Sequence, residues 1–340
     1  MIRLAGLGKK PLEKLLHAKD PLNQHSPFHD GESERGRETF PLFVAANKAT
    51  GMKQWAKGAV AAIVTVAVVA TALLVLFLSD KSLWLIKQAG TIRIGYAVEA
   101  PFAYLKPGGE VAGESPVVAN QIVARLGISR IEWYLMQFNS LIPALEAGRI
   151  DIVAAGMFIT RERAQRVRFS QPSLHVHQGL LTAKGNPRQI HSYEQILTQP
   201  SLKIAVLSES VEEDLLRRIG LPENQLVMIP DALTGRAAVE SGAAAGLALS
   251  APTVRWLARR GQLGNTEEAQ PFYQPSLALK ERLGFVAFAF RKGDRRLCSA
   301  WNAALNKFIG TREHLALISE FGLTWADLPG TVTTMEVLSR

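Results

Sequence analysis

Apolar and polar positions divide the 340-residue chain into three regimes. Over 1–57 no apolar period persists, and Pro, His, Gly and charged residues crowd 20–41, among them His25, Pro27, His29 and Gly31. Such a segment buries too little apolar surface to offset its ordering entropy, so 1–57 is expected to be a mostly disordered tail. From 58 to 79 there is no charged side chain, and 59–78 is apolar apart from Thr65 and Thr71. A helix of roughly 20 such residues crosses a bilayer core, and threonine hydroxyls can bond back to carbonyls of their own helix. A transmembrane helix is therefore expected at 58–79. Lys48, Lys53 and Lys57 precede the run, whereas Asp80, Lys81 and Lys87 follow it. The more basic leading flank places the N-terminus in the cytoplasm and the C-terminal region outside. Translation from Met52 would instead make 52–57 the basic leader of a signal peptide. The length of the apolar run, and the apolar stretch left beyond Ala70-Thr71-Ala72, favour a retained anchor.

After a short linker at 80–90 the pattern becomes that of a water-soluble α/β domain. Residues 91–96 alternate as a strand does. Residues 115–126 read as a helix, with Ser115 as N-cap and Pro116 at the first helical position. Residues 131–134 form a second strand. Asn139 is expected to cap a short helix carrying Leu141, Ile142 and Leu145 on one face, and 150–154 make a third strand. The pattern restarts with a strand at 202–207 and a helix at 211–219. A helix over 233–241 and the apolar run 246–249 follow. A strand at 283–290 and helices at 296–309 and 314–321 finish the domain. Strands alternating with helices predict largely parallel sheets covered on both faces.

The net charge of +9 is spread thinly: residues 1–57 carry ten Lys and Arg against six Asp and Glu. No basic block is interleaved with aromatics, so no nucleic-acid partner is expected. Cys298 is the only cysteine. It excludes an internal disulfide, a thiolate metal cluster and an N-terminal cysteine lipid anchor, and it reads as buried packing. His175 and His177 alternate on one strand face without a third ligand nearby, so neither a metal nor another cofactor is expected. No phosphate-binding glycine loop or Gly-x-Ser-x-Gly nucleophile turn is present.

Three stretches carry a resemblance. The first is Ile94-Gly95-Tyr96 leading to Pro101-Phe102-Ala103-Tyr104 and then Gly108, Gly109 and Gly113. The second is the run 141–151, Leu-Ile-Pro-Ala-Leu-Glu-Ala-Gly-Arg-Ile-Asp. The third is Ala155-Gly156-Met157-Phe158-Ile159-Thr160-Arg161-Glu162-Arg163, continuing to 169–172, Phe-Ser-Gln-Pro. Together they resemble the extracytoplasmic solute-binding proteins of family 3, the amino-acid-type binding proteins of ABC importers. Phe158 and the Gly-Glu-Ser-Pro stretch at 113–116 are similar to the branch that binds ectoine and hydroxyectoine. The resemblance implies a two-lobed, type II periplasmic-binding-protein fold over about 91–330, with 331–340 as a C-terminal tail. Lobe 1 would hold about 91–180 and 286–328, and lobe 2 about 184–281. Crossover strands would lie near 179–183 and 284–288, with the ligand in the cleft that hinge closure buries.

The same resemblance implies the role of Arg163, and the positions of the other residues in the predicted elements suggest theirs. Arg163 would grip a ligand carboxylate, because its planar fork matches two carboxylate oxygens at once. Phe102, Phe138 and Phe158 follow successive strands, and ring faces there could box a flat or cationic group at about 0.5–2 kcal/mol per contact. Glu99 would neutralise an amine or amidinium. Gly156 would let its backbone approach the ligand, and Ser210, at a helix N-terminus, would meet an anion. Amino-acid binders of the family carry an aspartate where this chain has Ser250, which disfavours a simple α-amino acid.

The resemblance and the apolar run together lead to the expectation of a non-enzymatic binding protein of the periplasmic side, anchored by one helix. Its expected partners are a small zwitterion of ectoine type, or an amino acid, and an ABC permease. The alternatives are a receptor that signals through another protein and a cyclic-acid dehydratase on the same scaffold, for which Glu99 is the one candidate proton donor.

Overall fold

The computed structural model describes residues 45–78, 80–259, 264–280 and 283–339. Of the expected N-terminal tail, residues 1–44 lie outside the described residues. A helix runs over Ala45–Leu78, beginning well before the expected position 58. Ala45, Ala46, Lys48, Met52, Lys53 and Gln54 are good helix formers and extend the helix backwards from the apolar run. Among the described residues no helix is long and apolar enough to cross a membrane.

Residues 80–90, expected as a linker, contain a helix. Ser82–Ala89 is a helix closed by Gly90 in the left-handed conformation, φ 65°. Ile86 is buried in a cluster with Ile92, Ile122, Phe290 and Trp301, and Asp80 accepts a hydrogen bond from the Arg296 N–H. Leu83 and Ile86, three apart, supply the apolar stripe that docks this helix.

Two five-stranded sheets make the two lobes. In lobe 1 the order is Arg130–Leu135, Thr91–Tyr96, Ile152–Val153, Ala289–Arg291, Val167–Phe169. The first three strands are parallel, with Ile94 beside both Trp133 and Ile152, and Ala289–Arg291 returns antiparallel. Asp151 ties this sheet together: its buried carboxylate accepts from Arg93 Nη2 at 2.7 Å and Arg291 Nη2 at 3.0 Å. Burial alone would raise its pKa, but the hydrogen bonds from Arg93 and Arg291 outweigh that and hold it below the ordinary carboxylate range.

In lobe 2 the order is Leu226–Ile229, Ile204–Leu207, Gly246–Ser250, Gln178–Ala183, Thr266–Glu268. Gln178–Ala183 pairs wholly inside this sheet. The first connection between lobes therefore precedes the expected 179–183 and is the strand Leu174–His175. It pairs antiparallel with Phe285–Val286, the second connection, Phe285 opposite His175. His175 stacks on Phe285 at 4.1 Å between centroids, which gives the histidine pair a place in the connection. Among the described residues no group of three His, Cys, Asp or Glu could hold a metal. Gly284 enters this connection at φ +105°, and a Cβ there would lie 1.9 Å from the Val176 carbonyl oxygen.

In the C-terminal tail expected at 331–340, Thr334–Leu338 is a helix with a capping box between Thr333 and Glu336. The Thr334 hydroxyl donates to the Ser170 carbonyl, and the Thr334 N–H donates to the side-chain oxygen of Gln171. Cys298 is buried and its thiol is pushed up to about 11 by that burial.

Candidate functional site

The turn after Ile152–Val153 carries the main constellation. Thr160 caps the helix Arg161–Arg166, its hydroxyl accepting from the Arg163 N–H at 3.2 Å. That cap directs Arg163 away from the surface arginines of the same helix. Its Nη1 donates to the Phe158 carbonyl at 3.1 Å, and its Nη2 donates to the Glu209 carbonyl of lobe 2 at 2.9 Å. The guanidinium lies 5.2 Å from the centre of the Phe138 ring. Burial pulls the Arg163 pKa down, opposed by Glu212 and Glu99. Two of the five N–H groups of a guanidinium serve these carbonyls, and the others can meet a carboxylate.

Two cavities lie between the lobes. The larger, about 580 Å³, is lined by Arg163, Phe138, Ser210 and Val211, with Val337 of the C-terminal helix in its wall. The smaller, about 450 Å³, is lined by Glu99, Phe138, Leu207 and Asp231. Phe138 borders both. It opens the short helical turn Phe138–Ser140, and Asn139 lies inside that turn rather than capping the next helix.

Glu99 is half-buried and accepts from Thr253 Oγ1 of lobe 2 at 3.0 Å, while Ser250 Oγ donates to Thr253 Oγ1 at 3.1 Å. Ser250, which stands at the aspartate position, thus supports the lobe 1 carboxylate indirectly. Burial, and then the charge of Glu212, push Glu99 up to about 8.

Phe102 and Phe158 sit deeper than expected. They line neither cavity and pack in one cluster with Val176, Val211, Val286 and Phe321. Phe158 is bridged to Val286 of the second connection. Gly156 serves this packing: its φ is +66° and a Cβ would fall 2.5 Å from the Phe102 ring. The helix after Gly113 begins at Glu114, so Ser115 is in its first turn and not its N-cap. Gly113 at φ +120° makes the entry turn, where a Cβ would meet the Phe102 carbonyl. Ser115 Oγ instead accepts from the Gly156 N–H at 3.2 Å. Ser210 does cap its helix, Val211–Arg218, accepting from the Glu213 N–H at 3.1 Å.

Glu212, at the second position of that helix, was not anticipated from the sequence. It is 5% exposed and its carboxyl is raised by burial to about 7, with Ser210 as hydrogen-bond partner and Arg163 as its charged neighbour. Three acids occur in this first turn, Glu212, Glu213 and Asp214, and all read as complements of the helix dipole. The distinguishing signal was phase: Glu212 lies three and four residues before Leu215 and Leu216, which are buried.

The profile of the bacterial extracellular solute-binding proteins, family 3, matches residues 92–323. A probable amino-acid ABC transporter periplasmic-binding protein, y4tE of Sinorhizobium fredii, is 36% identical over 239 residues, covering 70% of this chain and 78% of that protein. Among solved structures, EhuB in complex with hydroxyectoine superposes with a TM-score of 0.69 at 29% identity, covering 76% of this chain and 98% of EhuB. An ancestral amino acid-binding protein, a precursor of cyclohexadienyl dehydratase, superposes with a TM-score of 0.62 at 26% identity, covering 71% of this chain and 99% of the other. The family is one of solute-binding proteins, and y4tE is a probable periplasmic-binding protein.

Proposed function

From the premise that the chain belongs to the bacterial extracellular solute-binding proteins of family 3, we propose that it captures a small zwitterion of ectoine or hydroxyectoine type and presents it to an ABC permease. The observation that carries this reading is the Arg163 guanidinium set over the Phe138 ring at 5.2 Å, bordering the larger cavity between the lobes. A carboxylate meets the guanidinium fork, and a delocalised cation meets the aromatic face and Glu99. Likeness to EhuB with hydroxyectoine supports the choice of ligand. Phe102 and Phe158 pack in a separate apolar cluster, Gly156 makes room for Phe102, and Ser210 lies in the wall of the larger cavity.

Calorimetry of the purified chain with ectoine, glycine betaine, glutamine and arginine tests the proposal. Ectoine is expected to bind tightest. Far tighter binding of glutamine, undisturbed by Phe138→Ala, would replace the ring-shaped cation with a general amino acid.

The second part of the proposal is an anchor. The run 58–79 has no charged side chain, it lies largely within one helix, Ala45–Leu78, and its described apolar side chains are exposed, Ile63 at 68%. Such a surface is stabilised by lipid. The domain after it would then face the periplasm. N-terminal sequencing of membrane-purified protein is the check, and a mature chain starting beyond Leu78 would sink the anchor.

A further inference from the structure

The helix Ser82–Ala89 is docked by one face and bare on the other. Leu83 and Ile86 pack into the lobe 1 core with Ile92, Ile122 and Trp301. A helix turns by about 100° per residue, so the opposite face carries Lys81, Trp84, Leu85 and Gln88. All four are exposed, Trp84 at 58% and Leu85 at 56%. Among the described residues beyond Leu78, no other helix exposes two adjacent large apolar side chains. Such a pair held open to water marks an interaction surface.

The exposed charges beside the pair are basic. The Asp80 carboxylate accepts from the Ser82 N–H and from the Arg296 N–H, which brings the start of the helix Arg295–Phe308 against the start of this one. Lys81, Arg295 and Arg296 are exposed there, while Asp294 is buried and paired with Arg291 at 2.8 Å. An apolar pair beside three cations complements an anionic bilayer surface. Tryptophan favours the headgroup layer, and Lys and Arg favour its phosphates.

Chain length adds a second argument. Trp84 lies six positions after Leu78, where the helix holding the apolar run ends. A fully extended chain covers about 3.5 Å per residue, so Trp84 stays within about 20 Å of Leu78 in any conformation. If the run spans a bilayer, the bare face of Ser82–Ala89 stays close to the bilayer surface.

We infer that Ser82–Ala89 is a membrane-surface dock: Trp84 and Leu85 enter the headgroup layer of an anionic bilayer, and Lys81, Arg295 and Arg296 meet its phosphates. The inference rests on the anchor proposed above and adds a posture to it. Leu83, Ile86 and Asp80 fix this helix to lobe 1, so the domain lies against the lipid and does not swing on a free leash. Neither Trp84 nor Leu85 borders a cavity, so docking occupies neither of them.

The test is a spin-label depth measurement on the full chain reconstituted in vesicles of phosphatidylcholine, with and without phosphatidylglycerol. A nitroxide is placed at Gln88→Cys, or at Leu85→Cys should the first variant fail to fold. Tyr273→Cys, an exposed position of lobe 2, is the control. Cys298 is buried with its thiol pushed up to about 11, so it takes no label. In anionic vesicles the label at 88 should favour collisions with dissolved oxygen over a water-soluble nickel complex severalfold more than the label at 273. That preference should fall in neutral vesicles, in high salt, and in the triple variant Lys81→Glu, Arg295→Glu, Arg296→Glu. A label at 88 as wet as the one at 273, in protein that resists an alkaline wash of the vesicles, overturns the dock and leaves the anchor standing. The same shielding in detergent as in vesicles means that protein covers this face, and overturns the dock as well. Protein washed off by alkali that binds anionic vesicles through this face at low salt sustains the dock and overturns the anchor. Protein that binds neither way overturns both.

Discussion

The side chain of Arg163 donates to the main-chain carbonyl of Glu209 across the cleft at 2.9 Å, and Glu209 offers that carbonyl from a left-handed backbone, φ 60°. The Glu209 N–H in turn donates to the Glu213 carboxylate at 2.7 Å. The residue expected to grip the ligand therefore also latches lobe 1 to lobe 2. Arg163→Ala should remove both functions. Truncating one partner of a desolvated charge pair costs about 2–5 kcal/mol, so ligand affinity should fall by roughly 30-fold to several thousand-fold. Small-angle scattering should also show a larger radius for the variant than for the parent, since fewer bonds cross the cleft.

Two phenylalanines expected to act alike should now separate. Phe158 is packed behind the site with Phe102 and Val286, whereas Phe138 borders both cavities. Phe158→Ala should destabilise the fold by about 3–5 kcal/mol through a core cavity, read by denaturant unfolding. Phe138→Ala should cost less stability but weaken ectoine more than glutamine, read by calorimetry. Equal stability losses with equal affinity losses would contradict this division of labour.

Gly284 should tolerate no side chain. At φ +105° an added Cβ meets the Val176 carbonyl oxygen, and backbone cannot yield there without parting the two connecting strands. Gly284→Ala should lower the melting temperature clearly, whereas Gly108→Ala, with open space around it, should leave it nearly unchanged. The comparison needs only two melting curves.

Glu114 provides a pH test independent of the ligand. It is fully buried, one carboxylate oxygen lacks a hydrogen-bond partner, and burial raises the carboxyl to about 7. A carboxyl raised on folding binds its proton more tightly in the folded state. It therefore lowers stability as pH climbs from about 4.5 to 7 and leaves it unaffected below that window. The shift corresponds to a loss on the order of 3 kcal/mol by pH 8. Glu114→Gln should remove this slope, so the variant should gain on the parent in alkaline buffer and not at pH 4. Glu99 and Glu212 slope the same way in both proteins and cancel from the difference.

The C-terminal helix should matter to binding although it lies beyond the matched family region, which ends at 323. Val337 is buried in the cluster of Phe138 and Ile142 and borders the larger cavity, and the Leu338 carbonyl accepts from Arg161 at 3.2 Å. Deleting 331–340 should remove that wall, lower stability by about 2 kcal/mol for the lost apolar burial, and weaken ectoine. Unchanged affinity in the shortened chain would show that the helix is only a brace.

Whatever depends on neighbours along the chain is legible in the sequence itself. The alternation in Thr91–Tyr96, the cap at Ser210, and the Ile-Thr-x-x-Arg turn that presents Arg163 are local: each is set by backbone sterics and hydrogen bonds within a few residues. Where local signals compete they mislead. Ser115 and Asn139 look like caps, but Gly113 and Phe138 make those turns. What the lobes do to each other was decided only in three dimensions. Thr253 meets Glu99 from 154 positions away, and Glu212 differs from Glu213 and Asp214 in being buried, on the helix face of Leu215 and Leu216. Burial is what raises the Glu212 carboxyl to about 7, against the opposing charge of Arg163. The phase of Glu212 with Leu215 and Leu216 marks the inner face of its helix, but how far the carboxyl is desolvated is a property of packed surfaces.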